Sequence, residues 1–369
     1  MIIGFDAKRA FNNGSGLGNY SRDHLRLCHS LLPQVGLRIF TPKVKSEYQS
    51  FSQNWENAEV VMPSRGFGRI SPSWWRSFGL IPELRRHRID IFHGLSASLP
   101  AGIDRWNGKK IVTVHDLIFE KFPRWYTRAD RIIHRRKLQH AVKAADIVVA
   151  ISQETAMDLQ TFYGVNPDKI RVIYQACHPA FRGGVGLSSL AVPAFIPEQY
   201  ALYVGTIEER KHLGELLEVV QRVGNLPLVV VGRKTSYFDK LSPLAEALQR
   251  EKLLYFAEPD MQQLAAIYRN AYFLAYPSQA EGFGIPVIEA LFSDIPVLAG
   301  NAPCLREAGG DACIYVNPLD VDEMENAFRI LQHDTERRDK MIAAGGRHRE
   351  RFLPDQLVEQ WRMVYGIGK

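Results

Sequence analysis

The chain has 369 residues, 46% of them hydrophobic, and a formal net charge of +6 at neutral pH. That length exceeds what one hydrophobic core comfortably organises, so two domains are expected. No run of about 18 apolar residues marks a membrane span, and the modest, unclustered charge suits an anionic small ligand or surface rather than nucleic acid.

The opening MIIGFDAKRAF mixes Asp6 with Lys8 and Arg9, unlike a secretory leader. Four cysteines (Cys28, Cys177, Cys304, Cys313) lack the spacing of a metal site or a disulfide framework, so a reducing, cytoplasmic compartment is expected. Residues 1–6 read as a first strand running into the Gly- and Asn-rich AKRAFNNGSGLGNY, and a helix is predicted over 18–32. Short apolar runs follow at 88–94, 109–116, 145–152 and 168–176. Such β-branched runs, separated by helix-length segments, predict a parallel sheet covered on both faces. Residues 179–197 hold three prolines, three glycines and no acid, the best linker candidate in the chain. The pattern restarts at 199–206, 226–234, 253–258, 270–278 and 295–300, a second α/β domain, and the tail PDQLVEQWRMVYGIGK reads as a helix.

Five stretches carry side chains with chemical potential. In GSGLGNY (14–20), glycines before a helix permit close approach of a phosphate to helix N–H groups, although a tight turn explains them equally. His115 and Asp116 follow a strand, at the edge where open α/β sheets bind ligands. The aromatics Phe119, Phe122, Trp125 and Tyr126 then either shape a sugar pocket or pack a loop. Arg210 and Lys211 precede a helix, where cations oppose the dipole unless an anion is bound, and GRK (232–234) ends a strand facing the same crevice. In AEGFGIPVIEAL (280–291), Glu281 and Glu289 flank a glycine turn and a helix start at Pro286. Carboxylates there accept from vicinal diols, so acceptor, phosphate turn and acceptor match the order of a sugar nucleotide. Residues 64–88 hold six arginines and one acid beside Trp74, Trp75 and Phe78, which suits an anionic membrane surface, a polyprenyl-phosphate-linked acceptor or a flap.

Together GSGLGNY, VHDLIFEKFP, YVGTIEERKHLGELL, VVVGRK and EGFGIPVIEAL make nearly the whole chain similar to retaining GT-B glycosyltransferases of the family-4 group (glycosyltransferase group 1), in particular mannosyltransferase-like bacterial members. The resemblance implies an α/β, GT-B architecture of two Rossmann-like domains facing each other across a cleft. Residues 1–180 are expected on the acceptor side, with the helix at 355–367 crossing back, and 198–350 on the donor side. It implies transfer of a hexose, with GDP-mannose the favoured donor, to a glycan or polyprenyl-diphosphate-linked acceptor in surface polysaccharide biosynthesis. No tightly bound cofactor or metal and no nucleic-acid partner are expected. Peripheral contact with an anionic membrane through 64–88 is allowed.

Carried onto this chain, the pattern sets Gly16 against the donor diphosphate and His115 near the transferred sugar. Arg210 and Lys211 neutralise the diphosphate, Glu281 holds sugar hydroxyls and Glu289 the ribose hydroxyls. Phe283 and Gly284 offer backbone N–H groups, and Gly18, Asp116, Gly205 and Ile285 complete the expected donor contacts. The chain departs from the family at Lys211-His212 (often Lys-Asn), at Asp294-Ile295-Pro296 (often Gly-x-Pro), and at Gln175-Ala176-Cys177-His178 (usually Asn-Gly). UDP- or ADP-sugar transfer, an epimerase of the same fold, and a non-catalytic sugar-nucleotide-binding protein are the competing readings.

Overall fold

The computed structural model describes residues 1–63, 71, 74–183 and 192–368. It divides into two compact units, Met1–Ala176 with Pro354–Lys369, and Cys177–Leu353. The second unit therefore begins before the proline- and glycine-rich stretch, of which 184–191 lie outside the described residues.

In the first unit seven strands form a wholly parallel sheet: β1 (Ile2–Asp6), β2 (Gly36–Phe40), β3 (Ala58–Val61), β4 (Ile91–Gly94), β5 (Lys109–Val114), β6 (Ile147–Ala150) and β7 (Ile170–Val172), in the order β3-β2-β1-β4-β5-β6-β7. The apolar runs are strands because helices cover both faces: every residue of β4 is buried. Phe92, Val112, Val114, Val148 and Leu84 meet in one core. The predicted helix at 18–32 starts earlier, at Gly16–Leu31, after a short helix Lys8–Asn12.

The second unit repeats the scheme with β8 (Ala201–Val204), β9 (Leu228–Val231), β10 (Leu254–Ala257), β11 (Phe273–Tyr276), β12 (Val297–Gly300) and β13 (Cys313–Val316), in the order β10-β9-β8-β11-β12-β13. Tyr203, Leu217, Val230, Phe273 and Phe328 anchor its core. In each sheet the strand order reverses beside the unit's first strand, between β1 and β4 and between β8 and β11, and ligands of open α/β sheets bind outside the carboxyl ends at such points.

The helix Pro354–Tyr365 belongs to the first unit, where it buries Leu357, Trp361, Val364 and Tyr365. The Tyr365 hydroxyl lies 2.8 Å from His24 Nε2 and 2.9 Å from His93 Nδ1, and His93 Nε2 lies 2.8 Å from Thr113 Oγ1. Lys109 Nζ donates to the Val364 carbonyl at 2.6 Å. Burial pushes His24 down to about 3 and His93 well below the ordinary histidine range, so both rings are neutral and serve as hydrogen-bond relays.

Candidate active site

The reversal point of the second sheet is lined by the loops after β8 and β11. Ile207–Lys211 descends from β8 through a single 3₁₀ turn (Glu209–Lys211) into the helix Leu213–Val223. Ser278–Glu281 follows β11. Because β8 and β11 are adjacent, Arg210 and Lys211 meet Glu281, a residue about 70 positions away in sequence.

One oxygen organises this meeting. Glu281 Oε1 lies 2.9 Å from Arg210 Nη1 and 3.2 Å from Lys211 Nζ. It also accepts from the Tyr276 hydroxyl at 2.6 Å and the Ser278 hydroxyl at 2.8 Å. Burial alone would raise the Glu281 carboxyl, but Arg210 and Lys211, with those two hydroxyls, outweigh it and hold the group at about 2. Burial pushes Lys211 below the ordinary lysine range, and Arg210 adds to this while Glu281 opposes it. Arg210 also reaches the Ala280 carbonyl at 2.5 Å and the half-exposed Glu208 at 2.9 Å. A buried ammonium and a partly buried guanidinium thus share one partly buried carboxylate.

The resemblance gives this carboxylate the sugar hydroxyls; in the structure its Oε1 is the counterion of the cationic pair, a contact only the tertiary fold makes. Tyr276, Ser278 and Gln279, not singled out from sequence, build the same cluster: Lys211 Nζ donates to Tyr276 at 3.0 Å, and Gln279 N–H donates to the Arg210 carbonyl at 2.8 Å. The signal was available, since Tyr276 ends the buried strand β11 and Ser278 and Gln279 stand in the loop directly after it. Gly205 has φ +146°, and a Cβ there would lie 2.8 Å from Lys211 Nζ, so glycine keeps the ammonium's seat open.

Past Glu281 the backbone turns at Gly284, φ +119°, and the helix Ile285–Phe292 begins with Pro286 in its first turn. A side chain at 284 would strike Leu305 Cδ2 at 2.7 Å. No side chain caps this helix, whose N-terminus carries the partial positive charge of the dipole. Phe283 is buried edge-on against Phe352, 5.6 Å between ring centres. Glu289 lies one turn into the helix, buried, with Oε2 accepting from the Tyr268 hydroxyl at 2.9 Å. Of the GRK stretch, Gly232 packs on the Gly205 carbonyl, a Cβ there falling 1.9 Å from that oxygen. Lys234 stacks on Phe238 and Phe256 (4.5 and 4.1 Å to the ring centres), away from the predicted crevice role.

Two of the departures from the family pattern have one explanation. His212 and Asp294 both adopt left-handed backbone, φ +51° and +55°, where asparagine and glycine are at ease. Here His212 is held by Glu215 (2.9 Å) and Gln279 (3.3 Å), and Asp294 by Arg349 (2.7 Å).

In the first unit, His115 follows β5 and is buried, its ring edge-on to Tyr20 at 4.5 Å. Its Nε2 lies 2.8 Å from the Leu95 carbonyl, an acceptor only, so Nε2 carries the proton. Burial lowers the pKa, keeping the ring neutral and leaving Nδ1 an acceptor. Asp116 Oδ1 accepts from Ile118 N–H at 3.1 Å, a local turn contact. Gly16 and Gly18 occupy the first turn of the helix rather than a loop, and they differ. Nothing lies within 4 Å of a Cβ at Gly16, whereas one at Gly18 would fall 1.8 Å from the Asn13 carbonyl. The Ser15 hydroxyl turns back to Asn13 Oδ1 (2.5 Å) and does not cap the helix. Gly16 thus leaves space before uncapped N–H groups, while Gly18 serves packing. The aromatics after His115 pack the loop: Phe119 is buried beside His134 and Phe122 stacks on Trp125.

Two family models match, "Glycosyltransferase Family 4" over residues 25–181 and "Glycosyl transferases group 1" over 193–348. The chain belongs to the group 1 glycosyltransferases. It has the GT-B fold of two Rossmann-like domains. Curated relatives include O-antigen chain mannosyltransferase B of Escherichia coli, 28% identical over 68% of each chain. They also include O-antigen chain mannosyltransferase RfbU of Salmonella typhimurium, 27% identical over 60% of each. The chain thus spans about two thirds or less of the length of these relatives. Among solved structures, Anabaena HepE in complex with UDP and glucose superposes with a TM-score of 0.76 at 16% identity, covering 100% of this chain and 99% of that one. Among the described residues no group of three or more His, Cys, Asp or Glu is placed to hold a metal ion, and no helix is long and apolar enough to cross a membrane.

Proposed function

We propose that this enzyme transfers mannose from GDP-mannose, with retention of anomeric configuration, to a glycan acceptor during assembly of a surface polysaccharide. The observation that carries the reading is the Arg210–Lys211–Glu281 cluster beside an uncapped helix N-terminus at the reversal point of the second sheet. A diphosphate seated there gains two cations and a helix dipole without a metal, and these stabilise the charge that grows on the leaving group. As the bond from the anomeric carbon to the nucleoside diphosphate breaks, the acceptor oxygen bonds to that carbon from the same face. Its proton passes to the departing phosphate oxygen, so no protein base is needed. Glu289 is assigned the ribose hydroxyls, Gly16 the diphosphate, and the Nδ1 of His115 a sugar hydroxyl.

The choice of mannose and of a surface glycan rests on the O-antigen mannosyltransferase relatives. A cytosolic enzyme touching an anionic membrane peripherally is part of the same reading, and four cysteines in the thiol form, none in a disulfide, fit a reducing compartment. The second reading is a UDP-sugar donor, favoured by a likeness in fold to a protein solved with UDP and glucose. A thermal-shift screen of GDP-, UDP- and ADP-sugars, followed by the anomeric configuration of the product by NMR, tests both. Stabilisation by GDP-mannose alone is expected. A β-linked product, or epimerisation of the donor without any acceptor, would overturn the proposal.

A further inference from the structure

Of the arginine-rich stretch 64–88, residues 64–70 and 72–73 lie outside the described residues, and Trp75, one of its three aromatics, is buried. In the second unit a strained residue stands beside the cation pair. His212 occupies the position before the helix Leu213–Val223 with left-handed backbone, φ +51° and ψ +39°, where a β-carbon is unfavourable. Asparagine and glycine adopt this conformation with less strain. The His212 side chain is not spent on the helix it precedes, since it makes no cap bond. Its ring is buried, 4% exposed, and reaches the loop after β11.

The ring has two partners. Nδ1 lies 2.9 Å from Glu215 Oε1; a carboxylate only accepts, so Nδ1 carries a proton. Nε2 lies 3.3 Å from Gln279 Oε1, and a half-turn of that amide exchanges its oxygen for nitrogen, so the contact serves the neutral and the charged ring alike. Gln279 is also the residue whose backbone N–H donates to the Arg210 carbonyl at 2.8 Å. The positions on either side of Lys211 are therefore tied to one residue, 210 through its carbonyl and 212 through its ring. Between these anchors Lys211 holds its ammonium 3.0 Å from the Tyr276 hydroxyl and 3.2 Å from Glu281 Oε1. A flexible four-carbon stem keeps such a seat only where a surrounding shell of hydrogen bonds fixes its backbone.

We infer that His212 and Gln279 are positioning residues of the diphosphate site: their ring–amide contact locks the loop after β8 to the loop after β11 and so aims Arg210 and Lys211 at the terminal phosphate. The inference rests on the reading that this cluster receives the diphosphate of the donor. Full-length protein is titrated in a calorimeter with GDP and UDP, and with the monophosphate of whichever base binds. His212→Asn tolerates the left-handed backbone and sets an amide where Nδ1 stands, but has nothing where Nε2 stands. Gln279→Met removes the side-chain amide while keeping its length and the backbone N–H. Each variant should weaken the diphosphate roughly tenfold, the scale of one hydrogen bond to a charged group, and leave the monophosphate unchanged. The double variant should bind the diphosphate no more weakly than the weaker single variant, because both remove the same contact. Retained monophosphate binding shows that each variant is folded at the temperature of the titration. Unchanged diphosphate affinity in either variant, equal loss of diphosphate and monophosphate, or additive losses in the double variant would each overturn the inference. Lys211→Ala is the reference: a wild type that does not prefer the diphosphate, or no loss of diphosphate affinity in Lys211→Ala, would instead strike the reading of the cluster as the diphosphate site.

Discussion

Glu281→Gln removes one charge from the centre of the Arg210–Lys211 cluster while keeping its shape. A carboxyl group that ordinarily titrates at 4.5 and here titrates at about 2 is held in its charged form by about 3 kcal/mol. Losing that charge leaves a buried ammonium and a partly buried guanidinium facing each other, and breaking buried pairs costs roughly 3–5 kcal/mol. We therefore expect the second unit to lose about 3 kcal/mol, or about 6–12 °C in melting temperature for a unit of this size. The folded pKa lies below the unfolded one, so the contribution is fully present above about 4.5 and is lost as pH falls towards 2. The gap between wild type and variant should be flat from neutral pH down to about 5 and close below it. Scanning calorimetry of the full-length protein reads it.

The double variant Glu281→Gln/Lys211→Met sharpens the test. If the carboxylate is the counterion of these cations, removing Lys211 as well relieves the repulsion, and the double variant melts above Glu281→Gln alone. A neutral-pH shift under about 2 °C for Glu281→Gln, or simple additivity in the double variant, would refute the counterion role.

Lys211→Ala should cut turnover by about 10²–10³-fold, the scale of one lost transition-state charge contact, measured as kcat on the donor found in the screen. Gly16→Ala and Gly18→Ala should separate: the first keeps the melting temperature and loses activity because its side chain enters the open space, while the second, 1.8 Å from a carbonyl, prevents normal folding in circular dichroism and melting. Acid should weaken the first unit early. His24, His93 and His115 are held below the ordinary 6.5, so their contribution is complete above pH 6.5 and is lost as pH falls; for His24, held at about 3, the loss is about 1.4 kcal/mol per pH unit below 6.5. Urea titrations from pH 7 to 5 check the slope. Tyr365→Phe strips the hydroxyl between His24 and His93 and should cost about 1–3 kcal/mol, seen in the same titrations.

Strands buried on both faces were legible because burial leaves an uninterrupted apolar run: VVVG after Leu228 and FLAY at 273–276 are examples. The strands β2, β3 and β13 were not singled out. In β2 and β3 partly exposed polar positions, Arg38 and Glu59, break the run that marks the others, and β13 is a four-residue CIYV run, three of its positions partly exposed. Loop positions after strands were legible for the same reason as the strands themselves, which is why His115, the Arg210–Lys211 pair and Glu281 were found as candidates.

What the sequence determined alone is which residues stand at strand ends and helix starts, since local periodicity, Pro286 and the glycines at 282 and 284 are read without knowing the partners. What only the tertiary structure decided is who those residues face. Glu281 meets Arg210 and Lys211 because the strand order lays β11 beside β8. The tail helix sets one hydroxyl, that of Tyr365, between His24 and His93, each hundreds of positions away. Pairing across a parallel sheet is set by strand order, and strand order leaves no period in the residues it brings together.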